Sequence, residues 1–344
     1  GLESLITQEE CFTNIPNLKR LYIQRTELEL KLTESLLEEK RWPIITLRGR
    51  GGIGKTSTAL EVLNKIIKTG RFNAIIWFSA KEIDLHSGGV SYVQPRVVTK
   101  DDIAKEYSYL IEHPKRNEKG FDHKKLFREE LENSTFEKTL FVFDNFETIE
   151  KPIDVFELLV NNICLPNKIL ITTRHREFFS DIPIEVEGMN KNEFSELVES
   201  VAQDLKITDL ITEKTTQILF KESGGHPYVV KVLLGELSIN RKFDKSIKIF
   251  EDKEQILQAL FERTFQNLNS LSKRIFLTLC NWRSIIPEIA VEMVFICNQS
   301  DIAETEFNHQ DVSDSIDDLR RFSFIEIVNP KAEFRFINVP LTAS

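Results

Sequence analysis

The residues with the clearest chemical purpose are Gly49-Arg50-Gly51-Gly52-Ile53-Gly54-Lys55-Thr56. Glycines at this density let a backbone curl around an anion and aim several amide protons at it, while Lys55 adds a mobile cation. Thr56 offers a hydroxyl to a Mg²⁺ riding on phosphate oxygens, and Ser57 continues into the next element. The four fixed positions of the G-x-x-x-x-G-K-T spacing recur by chance in roughly one chain in a hundred of this length. The flanks lower that figure. The apolar run Ile44-Ile45-Thr46-Leu47 precedes the loop, and Ala59, Leu60, Leu63, Ile66 and Ile67 follow on one face of a helix, whose positive end points at the anion.

Phosphate bound with Mg²⁺ calls for a carboxylate on a neighbouring strand. Leu140-Phe141-Val142-Phe143-Asp144 supplies one: four apolar residues bury a strand and Asp144 ends it. Alone, an Asp in this place is a turn or a cap. Paired with the loop, it is the better candidate to hold the metal together with Thr56. Asn145 follows directly, and Glu147 is the next acid available to orient an attacking water.

The elements that must position these groups follow the pattern of an α/β fold. From Pro43 to about Ile184, buried-strand runs alternate with polar helical stretches: Ile44–Leu47, Ala74–Phe78, Leu140–Phe143 and Ile169–Thr172. A charged stretch, roughly 81–136 and containing Gly88-Gly89, interrupts them, and the sequence assigns it no role. From Met189 helical periodicity takes over, with Phe194, Leu197, Val198 and Val201 first. Farther on, 256–268, 271–280, a helix starting at Pro287 and 312–320 read as helices. Phe324–Val328 and Phe334–Ile337 read as a hairpin around Asn329-Pro330-Lys331-Ala332, and helices followed by such a wing suggest a winged helix. The expected domains are therefore an N-terminal helical segment (1–40), a P-loop nucleotide-binding domain (41–187), a helical domain (188–252) and a winged-helix domain (253–344). The fold class is an α/β P-loop NTPase, a parallel sheet with helices on both faces, followed by those two domains.

Composition narrows the classes. The 344 residues are 41% hydrophobic and 29% charged, ordinary for a globular chain. No apolar run is long enough to cross a bilayer and no signal-peptide pattern opens the chain, so the expected location is cytoplasmic. The four cysteines, Cys11, Cys164, Cys280 and Cys297, are scattered among mostly apolar neighbours and read as small core residues. A net charge of −9 disfavours a chain-wide nucleic-acid surface. The chain starts at Gly1 rather than Met, consistent with a piece of something longer.

The order of these motifs resembles the STAND class of signal-transduction ATPases, particularly the NB-ARC branch found in plant disease-resistance proteins, apoptosome scaffolds and bacterial relatives. Gly49 to Ser57 resembles the family's phosphate loop, and Phe141 to Glu147 its metal-site strand, in the D-N-x-E form of bacterial members. Lys168-Ile169-Leu170-Ile171-Thr172-Thr173-Arg174 is similar to the sensor strand whose arginine reaches the γ-phosphate. Gly224-Gly225-His226-Pro227 resembles the motif in which a proline packs near adenine. Ile23 to Leu28, with Arg25, resembles the segment that closes over the base. Apart from the resemblance, Arg174 reads as a surface charge, Gly224-Gly225 as a helix stop, Pro227 as a helix start and His226 as an exposed cap. Many family members place a histidine at the end of the winged helix, against the β-phosphate of ADP. Here the stretch is Phe336-Ile337-Asn338-Val339-Pro340, so either Asn338 substitutes or the contact is absent.

The resemblance implies a switch holding ATP or ADP with Mg²⁺, slow hydrolysis, self-association on activation, and effector and sensor domains outside this segment, in bacterial immunity or signalling. A DNA-binding P-loop ATPase of origin-recognition or regulator type is the alternative, and a P-loop kinase fits the long helical tail poorly. The helix before the wing disfavours DNA. With Val312, Ile316 and Leu319 buried, Asp314, Asp317 and Asp318 fall on outer faces, and Arg320 and Arg321 lie too near the helix end to offset them.

Overall fold

A computed structural model describes residues 5–16, 22–79, 99–175, 178, 180–241, 265, 268–282, 285–297, 307–321, 324–328 and 335–339. They fall into two compact units, one ending at Glu187 and the other continuing from Gly188.

The first unit opens not with helix but with two short antiparallel strands, β1 (Ile6–Gln8) and β2 (Cys11–Thr13). The β-branched and aromatic residues here suit an edge pair. The Asn14 side chain extends the pairing by bonding both the N–H and the C=O of Trp77. Helix α1 (Thr26–Leu37) then covers the charged stretch in which a helix is expected. The remaining elements alternate: β3 (Ile44–Arg48), α2 (Lys55–Ile67), β4 (Ala74–Ser79), α3 (Lys100–Leu110), α4 (His123–Glu132), β5 (Thr139–Asp144), α5 (Pro152–Asn162), β6 (Lys168–Thr173) and β7 (Ile182–Glu185). The sheet order is β1-β2-β4-β5-β6-β3-β7, parallel at every pairing from β2 to β7. The sequence reading did not single out β1, β2 or β7.

Strand alternation builds two cores, one on each face of the sheet. Along β4, Ile75 and Trp77 join α1 and α2 through Leu32, Leu36, Leu63 and Ile66. Ala74, Ile76 and Phe78 face the other way, onto Tyr107, Phe127 and Leu131 of α3 and α4. The charged insertion therefore has a structural role, since its described part, 99–136, roofs one face of the sheet. Phe78 stacks on Phe143 with centroids 5.0 Å apart, and Phe127 meets both Phe78 and Phe141 edge-on. Each such pair adds about 0.5–1.5 kcal/mol beyond area burial. Helix α3 starts where Thr99 and Asp102 form a reciprocal capping box.

At the amino end of β6, Lys168 is fully buried and forms no ion pair among the described residues. Its ammonium donates to the carbonyls of Ser35, Arg41 and Trp42, tying the end of α1 and the lead into β3 to the sheet. Cys11 is buried as expected. Cys164 is exposed, which corrects its reading as a core residue, while the Cys297 side chain lies outside the described residues.

In the second unit, α6 (Lys191–Asp204), α7 (Glu213–Ser223) and α8 (Pro227–Asn240) pack together, with Phe194 edge-on to Phe220. Gly224, at a left-handed φ of 58°, ends α7, and Pro227 is the first residue of α8. A side chain on Gly225 would collide with the Met189 carbonyl oxygen, 2.4 Å from an ideal Cβ. His226 caps α8 as expected but is buried, not exposed, which corrects that detail.

Beyond it, helices Ser270–Trp282, Glu288–Cys297 and His309–Arg321 share a core with a small antiparallel sheet, Ile286–Pro287 against Phe336–Asn338 against Glu326–Val328. Pro287 sits in the short strand just before its helix. Most of the expected 256–268 helix and the whole 329–332 turn lie outside the described residues. Val312, Ile316 and Leu319 are fully buried, and Asp314, Asp317 and Arg320 are exposed, as the helical spacing requires. Asp318 is half-buried rather than outward. No helix among the described residues is long and apolar enough to cross a membrane.

Candidate functional site

Parallel pairing brings the carboxyl ends of β3, β5 and β6 to one edge of the sheet, where ligands of open α/β sheets bind. The register sets Arg48 opposite Thr173. The glycine-rich loop leaves β3 there and feeds directly into α2, with Gly52 at φ 71° and Gly54 at φ 105°, conformations that L side chains rarely adopt.

Lys55 is buried and folds back over the loop, its ammonium donating to Gly49 O at 2.8 Å and Arg50 O at 2.9 Å. Burial pushes its pKa down to about 8. The acids Glu147 and Asp144 pull the value up, and Arg174 pulls it down. Thr56 Oγ1 donates to Asp144 Oδ1 at 2.7 Å, and Ser57 lies half-buried in the first turn of α2. Asp144, at the end of β5, is 2% exposed. Its Oδ1 also accepts from Thr172 Oγ1 at 2.6 Å, and its Oδ2 from the Asn145 amide at 3.0 Å. Asn145, in the left-handed region at φ 55°, closes the ring by donating its N–H to Thr172 Oγ1.

Glu147 follows in a short 3₁₀ turn, Phe146–Thr148, and faces Arg174, with Nε 3.2 Å from Oε1. Its other oxygen, Oε2, is buried without a hydrogen-bond partner among the described residues. The Arg174 guanidinium rests on the loop, so that a Cβ added to Gly51 would lie 2.9 Å from its Cζ. Arg25 is buried behind the loop, donating to Ile53 O at 3.4 Å and Glu187 O at 2.9 Å. Glu29 fixes that segment by accepting from Arg25 N–H, Tyr22 and Lys65. Burial alone would raise the Glu29 pKa, but these hydrogen bonds outweigh it and hold the value below the usual one. Pro227 belongs to the second unit, at the start of α8.

The first unit therefore gathers Arg25, the whole loop, Asp144, Glu147 and Arg174. The sequence reading assigned no role to Thr172. A hydroxyl residue following the apolar run Ile169–Ile171, next to Thr173-Arg174, was its signal. The donor set suits Mg²⁺: Thr56 and Asp144 present adjacent hard oxygens, and no group of three or more His, Cys, Asp or Glu among the described residues forms a metal cage. Mg²⁺ commonly takes one or two protein oxygens and completes its shell with phosphate and water.

A parallel sheet, a glycine-rich loop running into a helix, and an acid on the second strand across define an α/β P-loop nucleotide-binding protein. A family model, the NB-ARC domain, matches residues 25–208, more than half of the chain, and the chain belongs to that family. The match begins at Arg25 and takes in the loop, Asp144, Glu147 and Arg174. Among solved structures, a Signal Transduction ATPase with Numerous Domains (STAND) protein with a tetratricopeptide repeat sensor, from Pyrococcus horikoshii, shares the fold at a TM-score of 0.56 and 16% identity. The alignment covers 95% of this chain and 42% of that one, so the chain spans less than half of that protein's length. Cdc6p from Pyrobaculum aerophilum aligns over 94% of this chain and 92% of its own at 15% identity, with a TM-score of only 0.43. No curated protein matches the sequence.

Proposed function

We propose that this chain is the nucleotide-dependent switch module of a longer signal-transduction protein, binding ATP or ADP with Mg²⁺ and hydrolysing ATP slowly. The observation that carries the reading is the convergence of Lys55, Thr56, Asp144, Glu147 and Arg174 on one end of the sheet, around the glycine-rich loop that leads into α2. In this reading Gly49–Ser57 cradle the phosphates and Lys55 leaves the loop carbonyls for phosphate oxygens. Thr56 and Asp144 hold Mg²⁺, which neutralises phosphate charge. Glu147 orients water, Arg174 meets the γ-phosphate, Arg25 steadies the loop from behind, and Pro227 packs near the base. Residues 188–252 and 253–344 act as a helical and a winged-helix domain, respectively. Exchange at the γ-phosphate biases their arrangement and, on activation, exposes surfaces for self-association. Effector and sensor domains outside the segment would set trigger and output, and bacterial immunity or signalling is the setting we favour.

The test is nucleotide content. Purified protein should carry adenine nucleotide, mainly ADP, and Lys55→Ala should lose most of it, because the anion loses its mobile cation. Equal nucleotide content in the two proteins after gel filtration would count decisively against the reading. Light scattering with ADP, ATP and a non-hydrolysable analogue tests assembly.

A further inference from the structure

Two observations single out the pair Arg174–Glu147. The first is Gly51. In the G-x-x-x-x-G-K-T spacing this position is not fixed, and its φ lies outside the left-handed region, yet an ideal Cβ there would fall 2.9 Å from Arg174 Cζ and 3.1 Å from Nη2. Glycine at 51 makes room for the arginine. The second is Glu147, whose side chain is 9% exposed and whose Oε1 pairs with Arg174 Nε, while the Arg174 side chain is 44% exposed. The acid is fixed in the turn after β5, and the arginine directly follows β6 and rests on the glycine-rich loop.

We propose that Glu147 is a positioning residue that holds Arg174 at rest when no third phosphate is present, so that the γ-phosphate must win the guanidinium from the carboxylate. This rests on the nucleotide-binding reading above and deepens it. The third phosphate carries more charge than one carboxylate and lies over the loop on which the guanidinium already rests, so the exchange needs only a short movement. A nucleoside diphosphate leaves the pair intact. A nucleoside triphosphate breaks it, and the cost of breaking appears as lost affinity for the triphosphate alone. The same transfer frees the Glu147 carboxylate to orient water only when a γ-phosphate is present to be attacked. Discrimination between the two nucleotides and readiness for hydrolysis then share one ion pair.

The experiment measures Kd for Mg²⁺–ADP and Mg²⁺–adenylyl imidodiphosphate by calorimetry, on wild type, Glu147→Gln, Arg174→Gln and the double variant. Glu147→Gln should lower the ratio Kd(analogue)/Kd(ADP) by about twofold to fivefold, the scale of a partly exposed ion pair, while ADP affinity stays put. Arg174→Gln should raise the ratio, and adding Glu147→Gln to it should change nothing more. An equal drop with and without Arg174 would mean that Glu147 merely repels the phosphate, and would overturn the latch. So would an unchanged ratio in Glu147→Gln. Wild type that binds neither nucleotide would sink the latch together with the nucleotide reading. Nucleotides lost in Lys55→Ala but blind to Glu147 would sink the latch alone.

Discussion

Thr56 and Asp144, 88 residues apart in the chain, are joined by a 2.7 Å hydrogen bond from hydroxyl to carboxylate. The same carboxylate oxygen takes the Thr172 hydroxyl, so a single buried acid ties the first turn of α2 to the ends of β5 and β6. The two oxygens proposed to face Mg²⁺ are thus aligned by the fold before nucleotide arrives.

Asp144→Asn should separate fold from metal. An asparagine Oδ1 can still accept both hydroxyls, but its amide would face the Asn145 amide where a carboxylate now accepts. The expected cost in stability is about 1 kcal/mol. The Mg²⁺ dependence of triphosphate binding should weaken by roughly 10- to 100-fold, the range for groups that hold a metal indirectly. Titrating Mg²⁺ at fixed ATP analogue, alongside thermal melts, checks both. An unaltered Mg²⁺ midpoint removes Asp144 from the metal site.

Lys55 predicts a pH dependence of binding. Its pKa in the ligand-free protein is lowered to about 8, and a bound phosphate will raise it. Above pH 8, binding must therefore take up a proton, and affinity should fall with rising pH by at most about tenfold per unit. Below pH 8 the lysine is charged in both states and contributes no slope. Nucleotide Kd from pH 6.5 to 9.5 in buffers of different ionisation enthalpy would show the uptake, and Lys55→Met should abolish it.

Lys168→Met should destabilise the protein without touching the phosphate site. Methionine fills the apolar stem but leaves the carbonyls of Ser35, Arg41 and Trp42 without their donor, at a cost of about 1–3 kcal/mol. Burial lowers the Lys168 pKa to about 8, so between that pH and the ordinary lysine value the unfolded chain binds more protons. Wild-type stability from this group therefore rises through that window, and the gap to the variant should widen from pH 7 to pH 10. Denaturant melts at the two pH values measure it. A constant gap would mean that Lys168 titrates normally.

The helix His309–Arg321 should not read DNA. Among its described side chains Asp314 and Asp317 are exposed beside Arg320, whereas a groove-binding helix needs cations toward phosphate. Fluorescence anisotropy with duplex DNA is expected to show no salt-sensitive binding at low micromolar protein. Binding lost on Arg320→Glu with Arg321→Glu would promote the DNA-binding reading.

The sequence by itself determined the phosphate loop, Asp144 and the four buried strands, because each is a local signal. Gly49 to Thr56 are contiguous, and a strand covered on both faces must be apolar along its length. Arg174 and Glu147 were each visible as candidates. Their pairing was not, since it depends on β5 and β6 lying side by side and on Gly51, a position the motif spacing leaves free, making room for a guanidinium. Thr172 was hidden for the same reason: its hydroxyl matters only once Asp144 sits on the neighbouring strand. The insertion was opaque because its charge, concentrated on the solvent side of α3 and α4, masks Tyr107 and Phe127, which only the sheet beneath them explains. Strands β1, β2 and β7 are three or four residues long, too short for periodicity to register, and pairing with an existing edge is what makes them strands. Chemistry carried by consecutive residues can be read from order alone. Chemistry shared across strands exists only after hydrogen-bond register has chosen the neighbours.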